Sequence, residues 1–233
     1  MNANPNLAEV AALIGDPSRA AMLVSLLGGK TLPAGDLARA ARISPQTASA
    51  HLAKMINGGL LIQEVYGRHK YFRLASSEVG HALEALQVIS PAKQIRSLRE
   101  SDQAHALQFA RTCYDHLAGK IGVALTDRLL ELKLLEHAAG KEFTVSAAGI
   151  AKLHSFGVEA EKSPKSRRCF ARQCLDWSER RYHLAGSLGA ALTRRLFELN
   201  WVESIPGGRA VRVTASGAKG LYDEFGLQIN SLE

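Results

Sequence analysis

LPAGDLARAARISPQTASAHLAKMINGGL, residues 32–60, decides how the rest of the chain is read. It divides into two short helices joined by a tight turn. Asp36 opens the first, and Leu37, Ala38 and Ala41 place small apolar groups at the spacing of a buried face. Ser44-Pro45 starts the second: the serine oxygen caps free N–H groups, and proline at the first helical position loses no intrahelical bond. That helix turns Ala48, Leu52, Met55 and Ile56 inward and carries Gln46, Thr47, Ser49, His51 and Lys54 on its polar side, until Gly58-Gly59 ends it. A second helix studded with short hydrogen-bonding side chains has the layout that enters a DNA major groove.

Two strand-like runs follow, Leu60–Tyr66 and Lys70–Leu74, around a turn at Gly67-Arg68-His69. Helix, turn, helix and a hairpin tipped with Arg68, His69 and Lys70 make a winged helix. At this point the sequence resembles the ArsR-type winged helix-turn-helix transcriptional regulators. The resemblance rests on DPSRAAMLVSLL, on LARAARISPQTASAHLAKMINGGLL and on YGRHKYFRL, and covers about the first ninety residues. It implies a homodimer that binds double-stranded DNA at a pseudo-palindromic operator and acts as a repressor. Ser44, Gln46, Thr47, Ser49, His51, Lys54, Arg68 and Lys70 are the expected DNA-contacting residues. Gln46, Thr47, Ser49 and His51 would meet base edges, with Lys54 and Arg68 on phosphate or in the minor groove.

The resemblance also assigns a dimer interface to the first helical segment and the helix after the wing. Here these are Asn6–Leu27, restarted at Asp16-Pro17-Ser18, and Ser76–Ile89, closed by Pro91. The family's familiar metal positions are not inherited. The segment LPAGDLARA has no cysteine, and Glu78, His81 and Glu84 lack a matching second histidine cluster.

Charge and composition fit a cytoplasmic polyanion binder. The net charge is +7, yet residues 1–90 hold only eight basic and six acidic groups, against twelve basic and four acidic in 162–219. Most of the excess therefore lies outside the helix-turn-helix, either approaching phosphate or forming a solvated basic face. No apolar run reaches the ~18–20 residues of a membrane span. MNANPNLAEV lacks the regions of a signal peptide, and three cysteines do not make a disulfide framework.

The second half repeats itself. ARTCYDHLAGKIGVALTDRLLEL from Ala110 reappears as ARQCLDWSERRYHLAGSLGAALTRRLFEL from Ala171, with six extra residues, Trp177 to Tyr182. FTVSAAGIAKLHSFG from Phe143 is echoed by VRVTASGAKGLYDEFG from Val211. Each copy reads as a long amphipathic helical region, a hairpin through Gly140 or Gly207-Gly208, and a closing helix. The expected architecture is mainly α with small β-hairpin wings: a winged helix-turn-helix and dimerisation domain at 1–95, then winged-helix-like repeats at 101–158 and 167–227, linked by Glu159–Arg168.

Three chemistries compete for the second half. The extra residues give Trp177, Arg180, Arg181, Tyr182 and His183, a set suited to an anionic or aromatic effector. Cys113, His116, Cys174 and His183 are an acceptable zinc set. In a helical segment, however, nine residues place Cys174 and His183 on opposite faces, which argues against a shared ion. Cys169 and Cys174 near Arg167, Arg168 and Arg172 suggest a thiol switch. No cofactor is expected for DNA binding itself. No phosphate loop, GxSxG or HExxH is present, and Cys174 with His183 is the sole nucleophile-and-base pair on offer, so an enzyme is not expected.

Overall fold

The computed structural model describes residues 5–91, 94–95, 97–161 and 168–232 of the 233. The chain forms two compact units, Met1–Glu84 and Ala85–Glu233. Most of the linker expected at 159–168 lies outside the described residues, as does Arg167.

The first unit contains α1 (Leu7–Ile14), α2 (Pro17–Ser25), β1 (Leu32–Pro33), α3 (Ala34–Ala41), α4 (Pro45–Asn57), β2 (Leu61–Tyr66) and β3 (His69–Leu74). Helix α5 (Ser77–Ile89) runs across the boundary. The side chain of Asp16 accepts from Arg19 N and starts α2 with Pro17 in the first turn. Ser44 caps α4 in the same way through Thr47 N. Helix α3 begins two residues before Asp36, after Pro33, and ends at Arg42 in a left-handed conformation with φ 55°. Leu23, Leu27, Leu37, Ala48 and Met55 are fully buried and form the core expected of the inward faces. At Gly58 a Cβ would lie 2.2 Å from Leu13 Cδ1, so α1 packs against the end of α4 in space that a side chain would fill.

The wing is a six-pair antiparallel ladder from Leu61↔Leu74 to Tyr66↔His69. His69 is therefore in the strand, and the turn is Gly67-Arg68, with Gly67 at φ +60°. A short third strand, β1, pairs Leu32 with Phe72 on the other edge of β3.

The second unit contains α6 (Leu98–Phe109) and then two runs of the same element order. The first is β4 (Arg111–Thr112), β5 (Leu117–Ala118), α7 (Gly119–Glu131), β6 (Leu135–His137), β7 (Phe143–Val145) and α8 (Ala147–Ser155). The second is β8 (Arg172–Leu175), β9 (Tyr182–Ala185), α9 (Gly186–Glu198), β10 (Val202–Ser204), β11 (Val211–Val213) and α10 (Ala215–Phe225). The expectation of a long helical region from Ala110 and from Ala171 is thus corrected: each copy opens with a β-hairpin. The helix starts only at the glycine of HLAG, where Gly119 and Gly186 take φ +78° and +83°. The six extra residues lengthen the second hairpin.

The copies exchange equivalent bonds across a shared core. Leu117 N donates to Thr193 Oγ1 at 2.8 Å, and Leu184 N to Thr126 Oγ1 at 2.9 Å. Phe143 N donates to Ala171 O at 2.9 Å, and Val211 N to Ala110 O at 3.0 Å. Arg128 Nε donates to Phe225 O and Arg195 Nε to Phe156 O. Such reciprocity marks a local twofold relation, the intrachain counterpart of an isologous dimer. Within each copy the helix lies tight on the strand before it: a Cβ on Gly122 or Gly189 would lie 2.5 Å from the carbonyl oxygen of Leu117 or Leu184 respectively. Ile121 and Leu188 occupy equivalent positions in the two copies, and both are fully buried in the common core.

Candidate functional site

The outer face of α4 is built by its inner one. Burial of Ala48, Leu52 and Met55 fixes the rotation of the helix, which leaves Gln46, Thr47, Ser49 and Lys54 exposed. Ser44 Oγ lies 2.9 Å from Thr47 Oγ1 as well as capping Thr47 N. The Ser49 hydroxyl donates back to Pro45 O at 3.0 Å, which leaves its lone pairs outward. His51 is placed differently from these. It is half-buried, with Nδ1 3.2 Å from the Arg19 guanidinium. The same guanidinium donates to the carbonyls of Leu13 and Ala12 at 2.6 and 2.8 Å. Arg19 therefore braces α4 against the end of α1. On the wing, Arg68, His69 and Lys70 are all exposed. The face offers hydrogen-bonding side chains on a rigid helix and cations at a hairpin tip, the two kinds of contact a duplex accepts from one module.

The second site is in the second unit. Cys174 and His183 are direct cross-strand partners in the β8–β9 ladder, on one face of a hairpin rather than opposite faces of a helix. Cys113 and His116 sit in the tight β4–β5 hairpin, closed by Cys113 N donating to His116 O at 2.8 Å. One ligand atom from each of the four lies within 4.8 Å of all the others. The sulfur atoms are 4.0 Å apart and the two imidazole Nε2 atoms 3.1 Å. Cys113, His116 and His183 are buried and Cys174 is half-buried. The spacing objection to a shared site thus falls with the helix it assumed.

Two carboxylates stand behind the imidazoles. Asp115 Oδ1 is 3.1 Å from His116 Nδ1, and Asp176 Oδ2 is 3.4 Å from His183 Nδ1. Burial would raise the carboxyl of Asp115, but hydrogen bonds from His116 and Arg168 hold it at about 2. Burial also works against a charged His116, yet Cys113 and Asp115 raise it to about 9. His183 is pushed the other way, by burial and by the charge of its neighbour His116. Burial opposes the charge on Asp176 too, but the Arg111 guanidinium holds its carboxyl well below the usual range.

Asp176 organises the hairpin tip that carries the extra residues. Its Oδ1 accepts from Ser178 N, Ser178 Oγ and Arg111, and its Oδ2 accepts from Gly119 N at 2.7 Å. Trp177 packs under the Arg111 guanidinium, 4.1 Å from its ring centroid. Arg180 donates to Val88 O at 2.6 Å, Arg181 pairs with Asp127 at 2.9 Å, and Tyr182 is exposed. The five candidate effector residues thus share a hairpin; Arg180, Arg181 and His183 are directed to different protein partners, while Trp177 Nε1 is buried without a hydrogen-bond partner among the described residues. Part of the basic excess of 162–219 is also engaged: Arg168, Arg181, Arg195, Arg212 and Lys219 make ion pairs.

Sequence reasoning missed Arg19, Arg111, Asp115 and Asp176. The one signal available was Asp176-Trp-Ser-Glu, the Asp-x-Ser pattern of an Asx turn, which marks a hairpin tip rather than a helix.

Residues 14–64 match the profile of a helix-turn-helix domain family. The chain is 45% identical over 214 residues to the "Uncharacterized HTH-type transcriptional regulator YdfF" of Bacillus subtilis, covering 92% of this chain and 94% of that one. It is 34% identical over 84 residues to the HTH-type transcriptional regulator CmtR of Mycobacterium tuberculosis, covering 36% of this chain and 70% of that one. Among solved structures it is similar to the homodimeric winged helix-turn-helix domain of a possible ArsR-family regulator from Mycobacterium bovis. That likeness has 25% identity and a TM-score of 0.33, over 38% of this chain and 89% of the other. With the winged helix in place and a relative matched over nearly its whole length, the chain belongs to the helix-turn-helix transcriptional regulators.

Proposed function

We propose that this regulator is a homodimeric repressor that reads a pseudo-palindromic operator through α4, with an effector acting on the second unit. The observation that carries the reading is the two-sided nature of α4. Its buried face is fixed by three core residues, so Gln46, Thr47 and Ser49 project together from its first turns, where a recognition helix meets base edges. Lys54, further along the helix, and Arg68 and Lys70, on the wing, supply phosphate or minor-groove contacts. Ser44 sets the start of the helix and the direction of Thr47, and His51, held by Arg19, reaches bases from the flank of the same face.

The dimer is supported by α1. It is mostly apolar, yet no residue of it is buried, and Leu7 is 77% exposed. On α5, Ile89 is 78% exposed. Unpartnered apolar helix faces of this kind are covered when a second copy docks. Each repeat of the second unit keeps a helix, a hairpin and a closing helix in the order of a winged-helix second half, so 101–158 and 167–227 are read as winged-helix-like. They lack the polar α4 face, and operator choice belongs to residues 1–95. Selection of binding sites from random duplexes with the full chain tests this reading. Recovery of a two-half-site sequence, its halves about one DNA turn apart, supports it; recovery of no preferred sequence rejects it.

A further inference from the structure

We propose that Cys113, His116, Cys174 and His183 form a closed tetrahedral site for one zinc-class divalent cation, which clamps the two C-terminal repeats together.

The geometry fits such an ion. Zinc–sulfur bonds of about 2.3 Å and zinc–nitrogen bonds of about 2.0–2.1 Å place tetrahedral donors about 3.8 Å apart for two sulfurs and about 3.3 Å for two nitrogens. The sulfurs here are 4.0 Å apart and the Nε2 atoms 3.1 Å. All four donors fall within 4.8 Å of one another, so one point lies at bonding range from each after small side-chain adjustments.

The orientation of the imidazoles points the same way. Asp115 and Asp176 lie behind Nδ1 of His116 and His183 respectively. Metal-bound histidines have their far nitrogen turned to a carboxylate in this manner, which fixes the tautomer. His116 Nδ1 is within hydrogen-bond range of Asp115, whereas His183 Nδ1 lies 3.4 Å from Asp176 Oδ2 without a hydrogen bond; the Nε2 atoms of the two rings meet at one buried point. Two lone pairs 3.1 Å apart repel unless a cation or a proton lies between them.

The local twofold explains the donor set. Each repeat supplies one cysteine and one histidine from its opening hairpin, so the ion would link β4–β5 to β8–β9 across their interface. Two sulfurs and two nitrogens in a tetrahedron select zinc-like ions over magnesium or calcium. Four protein donors leave no open position, so the centre is structural rather than catalytic. The proposal does not rest on operator binding. Its readouts are metal content and metal spectra, so its failure leaves the operator reading untouched, and the converse holds.

The test uses the full chain, untagged and purified without chelator from zinc-supplemented cells. About one zinc per chain is expected by elemental analysis. After chelator stripping under reducing conditions, Co2+ titration should give the intense visible bands of tetrahedral cobalt with thiolate charge transfer, saturating at one equivalent. Cys174→Ser and His183→Gln should abolish both signals, while Cys169→Ser, outside the cluster, should keep them. Asp115→Asn should weaken zinc binding ~10–100-fold with the same spectrum. The cobalt titration of the unmodified chain stands even if a ligand variant fails to fold. Absence of zinc together with no tetrahedral cobalt spectrum overturns the proposal, as does full zinc retention in the folded Cys174→Ser and His183→Gln variants. A Cys113–Cys174 disulfide whose reduction restores no metal uptake overturns it in favour of a thiol pair.

Discussion

Nε2 of His116 lies 3.1 Å from Nε2 of His183, 67 positions away in sequence, because two copies of one motif meet around a local twofold. The same relation sets pairs of bonds that should behave alike under mutation. Thr126 and Thr193 each accept a backbone N–H from the other copy and donate to a carbonyl four residues back. Thr126→Val and Thr193→Val each leave a buried N–H unsatisfied, at a cost of ~1–3 kcal/mol. Urea unfolding of the two variants should give losses of similar size. A large loss in one and none in the other would show that the exchange is not reciprocal in energy.

The Arg111–Asp176 pair is buried on both sides and separated by 2.8 Å. Removing one partner strands a charge, so Asp176→Ala should cost ~3–5 kcal/mol. Replacing both, as Arg111→Met with Asp176→Leu, should recover a measurable part of that loss. If the double variant is no more stable than the single, the cost lies in the other bonds to Asp176, from Ser178 and Gly119.

Acid sensitivity of the first unit has a specific source at Asp16. Its carboxylate accepts from Arg19 N and is held below its ordinary value of 3.8 chiefly by that bond. A lowered folded-state pKa contributes stability that is full above the unfolded value and is lost as pH falls through the folded one. Asp16→Ala should therefore lower the thermal midpoint at neutral pH and flatten its fall below pH ~4. Equal pH profiles for the variant and the parent chain would remove Asp16 from the account.

The first unit was legible because its signals are local. Ser44-Pro45, the inward spacing of Ala48, Leu52 and Met55, and glycine in the wing each specify structure within a few residues. Strand β1 was missed because two residues carry no periodicity, and pairing with Phe72 depends on the fold. In the second half the repeat was visible but its conformation was not. The hairpins run directly into α7 and α9, so the helical period of GKIGVALTDRLL was extended backwards through HLAG. The glycines that break it do so by a left-handed φ, which identity alone does not announce. That error placed Cys174 and His183 on opposite faces and hid the cluster. Arg19, Asp115 and Asp176 owe their roles to partners or turns that only the fold assembles.

Cations at the wing tip should act without regard to base sequence. Arg68 is exposed beside Lys70, so Arg68→Ala should weaken binding to operator and random DNA by the same factor and reduce the salt slope by about 1. A selective loss on the operator alone would make Arg68 a reader of bases instead.

Operator reading by α4 is tested most directly by the specificity ratio, the affinity for a selected operator over that for random duplex at one fixed salt concentration. Gln46→Ala and Ser49→Ala each remove an exposed hydrogen-bonding group from α4 while sparing its buried face. Each lost base contact is worth ~1–3 kcal/mol of discrimination. The expected result, by fluorescence anisotropy, is a ratio about 5- to 150-fold lower for each variant, with random-duplex affinity unchanged. A full ratio retained by both folded variants would contradict the assignment of α4 as the recognition helix.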